Sequence, residues 1–279
     1  MKGCVLHLKY YFKTELKRAL LGRNAIISFF ITVGILIASF MNYIGMTNPN
    51  LKLVKYFLEN PNADAIDAFI TIMSSSIVIV FPLLSTIIFA DSYLIDKESG
   101  FIKFIYTRLS IKKYVLVKVI VNSISSALIA IISSLLTLIF LIIIFGIKNQ
   151  SITSYTSNIL GPFNFLLVSS NTRLIYALIR ILSFSIGYIV MSTLALGLSA
   201  WIKNKYLVLI FPLFYFIFCG TVLDILGINS VFDFHLARVL SLKYSMTTPI
   251  HLFIYPLLLL IIGITLFYSG VIIKNEKDL

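Results

Sequence analysis

One pair of residues in this chain could carry hydrolytic chemistry. Gly197-Leu198-Ser199 is a fragment of the pattern that exposes a nucleophilic serine, and His251 is a candidate base. An intramembrane hydrolase is therefore one hypothesis for the function. However, the serine ends one long apolar run, and the histidine begins another that would start on the opposite side of a membrane. About 30 Å would then separate them, far beyond hydrogen-bond reach.

Cofactor and metal chemistry have no recognisable motif in the sequence. There is no Gly-x-x-x-x-Gly-Lys-Ser/Thr phosphate loop, and no glycine is followed by lysine, so any ATP hydrolysis must occur in another chain. There is also no His-Glu-x-x-His motif, and His7, His235 and His251 do not show metal-ligand spacing. With only Cys4 and Cys219, no disulfide framework is expected. We predict no catalytic residue, cofactor or metal ion for this chain.

Long apolar runs dominate the sequence and predict its fold class. The chain is 59% hydrophobic and 12% charged, with a mean hydropathy of +1.00, and six such runs would leave a soluble protein no polar surface. We predict an all-α integral membrane protein of one domain (1–279), with an amphipathic interfacial helix (1–24), a six-helix bundle (25–273) and a tail (274–279). The predicted spans are Ala25–Ile44, Phe69–Ala90, Val119–Ile147, Ile181–Ile202, Tyr206–Leu223 and Leu252–Ile273.

The lysines and arginines indicate how these spans are oriented. The net charge of +12 is scattered among loop ends, so nucleic acid is not expected as a partner. With a cytoplasmic N-terminus, 16 of the 23 basic residues fall on the inner side. The positive-inside rule therefore predicts that both termini lie in the cytoplasm. We expect the chain in the plasma membrane. The inner set is Lys2, Lys9, Lys13, Lys17, Arg18, Arg23, Lys97, Lys103, Arg108, Lys112, Lys113, Lys118, Lys203, Lys205, Lys274 and Lys277.

Two inner segments are amphipathic. In the first 22 residues, Lys9, Lys13 and Lys17 share one helical face opposite the apolar residues, a pattern that predicts a helix lying along the membrane with lysines toward anionic headgroups. Glu15 interrupts this pattern. The segment 91–114 is densely charged, and its apolar residues after Gly100 recur at near-helical spacing. We expect a short surface helix there, with the charges left for a soluble partner.

At these residues the chain resembles the permease subunits of ATP-binding-cassette transporters of the type 2 exporter (ABC-2) class. In that family an acidic residue precedes a glycine, a short amphipathic stretch follows, and a basic residue and a lysine lead into the third span. Glu98, Gly100, Lys112 and Lys118 occupy those places, whereas Leu109 stands where the family usually has a proline. The basic N-terminal helix, the six spans and the length of 279 residues extend the resemblance over the whole chain.

The resemblance implies a half-transporter without its own ATPase site. Two permease subunits, identical or different, would stand side by side in the bilayer, and a separate ATPase subunit would bind ATP and Mg²⁺ and dock on the loop and the N-terminal helix. The apolar interior favours an amphiphilic substrate, a peptide or lipid, so resistance to an antimicrobial peptide is one expected role. A non-transporting immunity or sensor protein remains the alternative. The implied ATPase-coupling residues are Asp96, Glu98, Gly100, Lys103, Arg108, Lys112 and Lys113, with Lys9, Lys13 and Lys17 on the interfacial helix.

Two further features concern the outer side. Arg180 and Asp224 lie near the outer ends of apolar runs, and long side chains at such positions usually reach the interface, so structural roles are expected. The segment 231–240 is too apolar for a solvated loop. The resemblance implies short re-entrant helices there, between the last two spans.

Overall fold

The computed structural model describes residues 2–45, 63–147, 163, 165–168, 170–230, 233–242 and 249–278. The regular elements in these ranges are all helical. In chain order they are α1 (Lys2–Leu20), α2 (Arg23–Tyr43), α3 (Ala65–Ile72), α4 (Ile77–Ile87), α5 (Ser92–Glu98), α6 (Phe101–Tyr106), α7 (Ile111–Phe145), α8 (Phe165–Val168), α9 (Ser170–Ser199), α10 (Lys205–Ile217), a π-helical turn (Phe218–Val222), α11 (Leu223–Ile225), a 3₁₀ turn (Ile228–Ser230), α12 (Leu236–Ser241) and α13 (Pro249–Asp278).

Six helical stretches are long and apolar enough to cross a membrane, which confirms the predicted number of spans and indicates a multi-pass membrane protein. The second stretch contains both α4 and α5, and the fifth continues α10 through the π-helical turn. The six spans are Arg23–Tyr43, Ile77–Glu98, Ile111–Phe145, Thr172–Ser199, Lys205–Ile225 and Phe253–Ile273.

The second span differs from its prediction. The run predicted to start at Phe69 is interrupted, because α3 ends at Ile72 and the spanning helix begins only at Ile77. Serine hydroxyls bond to nearby carbonyls at the interruption: Ser74 Oγ donates to the Ile70 carbonyl at 2.7 Å, and Ser75 Oγ donates to the Ile72 carbonyl at 2.6 Å. Such local bonds compete with continued helix. The predicted start at Phe69 is therefore wrong, and the span extends instead to Glu98 at its other end.

The third and fourth spans begin earlier than predicted. Span three starts at Ile111 rather than Val119, and span four at Thr172 rather than Ile181. The early start of α7 places Lys118 inside the protein, where its side chain is fully buried. A hydropathy pattern excludes a lysine from a span, whereas the fold accommodates this lysine because carboxylates surround it.

Helix α9 lies at the centre of the bundle and contacts α4, α7, α10, α12 and α13. It runs in the same direction as α13, because Thr193 lies beside Gly263, and Ala200, just past the end of α9, lies beside Gly270, further along α13. A Cβ at Gly263 would lie 2.9 Å from the backbone of Thr193, and one at Gly270 would lie 2.6 Å from Ala200 Cβ. Small residues thus allow close backbone approach. This register separates Ser199 from the backbone of His251 by roughly 27 Å at 1.5 Å per residue, so the geometry gives the hydrolase hypothesis no support.

Candidate functional site

The most unusual polar feature of the described chain is a buried ion network at one end of the bundle. Lys118 Nζ of α7 lies 2.7 Å from Glu15 Oε2 of α1 and 2.7 Å from Asp96 Oδ2 of α5. Arg18 of α1 lies 2.6 Å from Asp96 Oδ1 and 3.4 Å from Glu15 Oε1. The Tyr114 hydroxyl donates to Asp96 Oδ2 at 3.2 Å. The network therefore joins three separate segments of the chain.

Three of the four charged residues in the network are almost completely buried. Lys118 is 0% exposed, Glu15 3% and Asp96 1%, whereas Arg18 reaches the surface. Two carboxylates face two cations, so the formal charges cancel. Charges buried this deeply are tolerated only when they are paired and hydrogen-bonded, and these pairs meet that requirement.

Burial and the charges of the network shift the pKa of two groups, Arg18 in the network and Tyr11 beside it. Burial alone would lower the pKa of the Arg18 guanidinium, but the hydrogen bond that Arg18 donates to Asp96 and the charges of Asp96 and Glu15 raise it above its usual value. Burial, reinforced by the same two carboxylates, raises the pKa of the Tyr11 phenol. Arg18 therefore stays cationic and Tyr11 stays neutral at physiological pH.

Helix periodicity positions the α1 members of the network. Glu15 and Ala19 are buried on one face, Tyr11 is half-buried, and Lys9, Lys13 and Lys17 are exposed on the other face. The glutamate that interrupts the apolar pattern of α1 is thus the residue that pairs with Lys118. A lone acidic residue on an apolar helix face was the available signal for this role.

An apolar cluster supports the network and draws several elements to the same end of the bundle. Ile102, Ile105 and Leu109 of the loop pack with Phe267 and Val271 from the last helix. Leu8 and Tyr11 of α1 pack against this cluster. Consequently α1, the segment 91–110 and the final turns of span six lie together at one end.

The exposed surface of the loop carries most of the residues that were predicted to couple the chain to an ATPase. Glu98, Lys103, Arg108 and Lys112 are exposed. Lys113 is half-buried. Gly100 has φ +70°, a left-handed conformation that turns the chain sharply between α5 and α6, as expected. Asp96, which was also predicted for coupling, is the exception because it is buried.

The buried position of Asp96 changes how its predicted role can be understood. Its carboxylate is occupied by Lys118, Arg18 and Tyr114 and is not available at the surface. It can therefore hold the loop in place, but in this conformation it does not offer a contact to a partner.

Two grooves flank α6. The first, of about 430 Å³, lies between α1 and α6, and its lining includes Tyr10, Phe101, Phe104 and Arg108. The second, of about 1110 Å³, lies between α6 and the ends of spans two and three. Its lining includes three lysines: Lys97, Lys103 and Lys112. The aromatic groove and the lysine-lined groove thus differ in their linings but meet at Thr107 and Leu109, which line both.

Arginines also organise the opposite end of the bundle. Arg173 Nη2 lies 3.0 Å from Asp64 Oδ2 and 2.7 Å from Asp67 Oδ1, which ties α9 to the start of α3. Arg238 forms an ion pair with Asp224, linking α12 to span five. These pairs satisfy charges at the ends of helices.

Arg180 does not extend to the interface as expected. Its buried guanidinium donates to the Leu240 carbonyl of α12, to the Met73 carbonyl at the end of α3 and to Ser74 Oγ. Backbone carbonyls exposed where helices end within a membrane need such donors. Arg180 therefore satisfies the ends of two short helices, one of which, α12, lies between the last two spans.

The class of protein that follows from this geometry is a multi-pass helical membrane protein with a charge-linked loop at one end. Among the described residues, no group of three histidine, cysteine or acidic side chains could hold a metal ion. No protein-family model, curated protein or solved structure matches the chain. Function must therefore be argued from the site itself.

Proposed function

We propose that this chain is the membrane-spanning permease subunit of an ATP-driven exporter of the ABC-2 class. The observation that carries the proposal is the buried network of Glu15, Asp96 and Lys118, which fastens α1 and the end of span two, where the loop begins, to span three. A separate ATPase subunit binds ATP and Mg²⁺ and docks at this end, which then faces the cytoplasm together with both termini. A second permease subunit completes the pathway.

The network gives the loop a mechanical connection to the bundle. Lys118 lies near the start of the 35-residue α7, so a displacement of α5 acts directly on a helix that crosses the membrane. The same ammonium holds Glu15, so α1 moves with the loop. Closure of two docked ATPases would displace these elements as one body and tilt the attached spans, a rigid-body route to alternating access.

The aromatic groove between α1 and α6 has the composition of a protein-docking surface. Phe104 is 71% exposed, and Tyr10 and Phe101 are exposed beside it, with Arg108 at the rim. Aromatic residues and arginine are enriched among the side chains that dominate protein interfaces. We propose that the ATPase places an apolar segment in this groove and acidic groups near Arg108.

Co-purification with a candidate ATPase subunit, co-expressed with this chain, tests the proposal. Arg108→Glu and Phe104→Ala should each reduce the recovered ATPase at least tenfold, because the first repels acidic groups and the second removes the central apolar contact. Lys203→Glu is the matched control, since Lys203 is also an exposed cation but lies in the connection between α9 and α10. Recovery of the ATPase with both groove variants at the wild-type level would refute the docking site.

The substrate that we propose is an amphiphile, a peptide or a lipid. In liposomes that contain both subunits, a transported amphiphile should stimulate ATP hydrolysis, and Arg108→Glu should abolish the stimulation. If no ATPase associates and the chain alone still protects cells against an antimicrobial peptide, an immunity protein replaces the transporter.

A further inference from the structure

The lysine-lined groove on the other side of α6 has a chemistry unlike that of the aromatic groove. Lys97, Lys103 and Lys112 line it, and none of its lining residues is acidic. Apolar side chains, among them Ile102 and Ile111, form part of its wall. A cationic rim above an apolar wall matches a ligand with a negative head and a hydrocarbon tail.

The position of this groove relates it to the membrane surface. Its lining comes from the end of span two, from α6 and from the start of span three. The groove therefore lies at the ends of two candidate membrane spans, where we expect the lipid headgroups. Its volume of about 1110 Å³ is slightly larger than most sites for small molecules, which leaves room for a headgroup and the first part of its acyl chains.

The start of α7 adds a second source of positive potential. Ser110 precedes the helix and makes no side-chain capping bond, and it lines the groove with Lys112. The N-terminus of a helix of 35 residues carries a partial positive charge that favours phosphate groups. The N-terminus of the helix and the lysines therefore both favour a ligand that carries a phosphate group.

We propose that this groove binds an anionic glycerophospholipid from the adjacent leaflet. Its phosphate lies between Lys103 and Lys112 at the start of α7, and an acyl chain follows the apolar wall. The bound lipid would fill the space between α6 and span three and would hold the loop at a fixed height relative to the membrane. This role does not require the chain to be a transporter.

Native mass spectrometry of the purified full-length chain tests the site without any ATPase. The protein in detergent is mixed with equal amounts of dioleoyl-phosphatidylglycerol and dioleoyl-phosphatidylcholine, and the retained lipids are counted. We expect preferential retention of phosphatidylglycerol by the wild type. Lys103→Gln with Lys112→Gln should weaken it about fivefold for each lysine removed, the effect of one basic residue at a charged membrane surface. Lys103→Arg with Lys112→Arg should preserve it.

The matched control is Lys203→Gln with Lys205→Gln, which removes the same charge from exposed positions at the connection between α9 and α10, outside the groove. Retention in this variant should stay within twofold of the wild type. Equal losses in the two glutamine variants would show diffuse attraction and overturn the site, as would equal retention of the two lipids by the wild type. Preferential binding of a polyglutamate peptide over phosphatidylglycerol would also overturn it, by identifying the groove as a protein-docking surface. Thermal unfolding in lipid-free detergent verifies that each variant is folded.

Discussion

The sharpest consequence of the buried network concerns Lys118→Met. The substitution leaves Glu15 and Asp96 buried with only Arg18 as a cation, at 2.6 Å from one carboxylate and 3.4 Å from the other. Removing one partner of a buried ion pair costs about 3–5 kcal/mol. Because Arg18 still contacts both carboxylates, we expect the lower end of that range, a loss of about 3 kcal/mol in the free energy of unfolding.

A charge-balanced second variant separates this effect from lost packing. Asp96→Asn combined with Lys118→Met leaves Glu15 opposite Arg18, so the double variant should be about 2 kcal/mol more stable than Lys118→Met alone. Reversible unfolding of the purified chain in mixed micelles measures both values. The control is Lys112→Met on the same helix, whose exposed side chain should change stability by no more than about 0.5 kcal/mol. A Lys118→Met variant within that margin of the wild type, or a double variant no better than the single one, would refute the reasoning.

Three further predictions concern the rest of the bundle. Arg180→Gln should destabilise the protein by about 2 kcal/mol in the same unfolding assay, because buried carbonyls lose their donor, whereas Arg238→Gln, in a partly exposed pair, should cost less than about 1 kcal/mol. Gly263→Ala should destabilise and Gly34→Ala should not, since a Cβ at Gly263 would lie 2.9 Å from backbone atoms and one at Gly34 would meet nothing within 4 Å. Burial, together with the charge of Arg238, lowers the pKa of His235. As the pH falls below about 6.5, the folded state therefore binds fewer protons than the unfolded state. The stability from neutral His235 is present above about pH 6.5 and is lost below it. His235→Gln should flatten the decline in unfolding free energy measured between pH 6.5 and 5.

The number of spans was predictable from composition because hydrocarbon imposes a length and an apolar character on each helix. The boundaries were less predictable. At the break between α3 and α4, serine hydroxyls bond nearby carbonyls, and Arg180 supplies a donor from a distant helix. Hydropathy registers serine as only mildly polar, so the apolar run appeared continuous across the break.

The candidate site was only partly predictable. The exposed loop charges and the turn at Gly100 follow from local pattern, and Glu98, Lys103 and Arg108 lie on the surface. The pairing of Glu15 with Lys118 joins residues 103 positions apart in the chain, and no local periodicity specifies such a partner. An isolated charge on an apolar face indicates that a partner is needed, and the fold decides which residue it is.

Ions rather than apolar side chains join α1, α5 and α7, and this composition bears on the role of the junction between the three helices. A buried ion network is often no more stabilising than a well-packed apolar core, so stability alone does not explain Glu15, Asp96 and Lys118. An apolar contact allows helices to slide by small steps, whereas Lys118 Nζ at 2.7 Å from both carboxylates permits one register of α1, α5 and α7. In the permease that we propose, the loop passes a displacement to a spanning helix, and a single register at this junction would keep the movement from being lost to slippage between the helices.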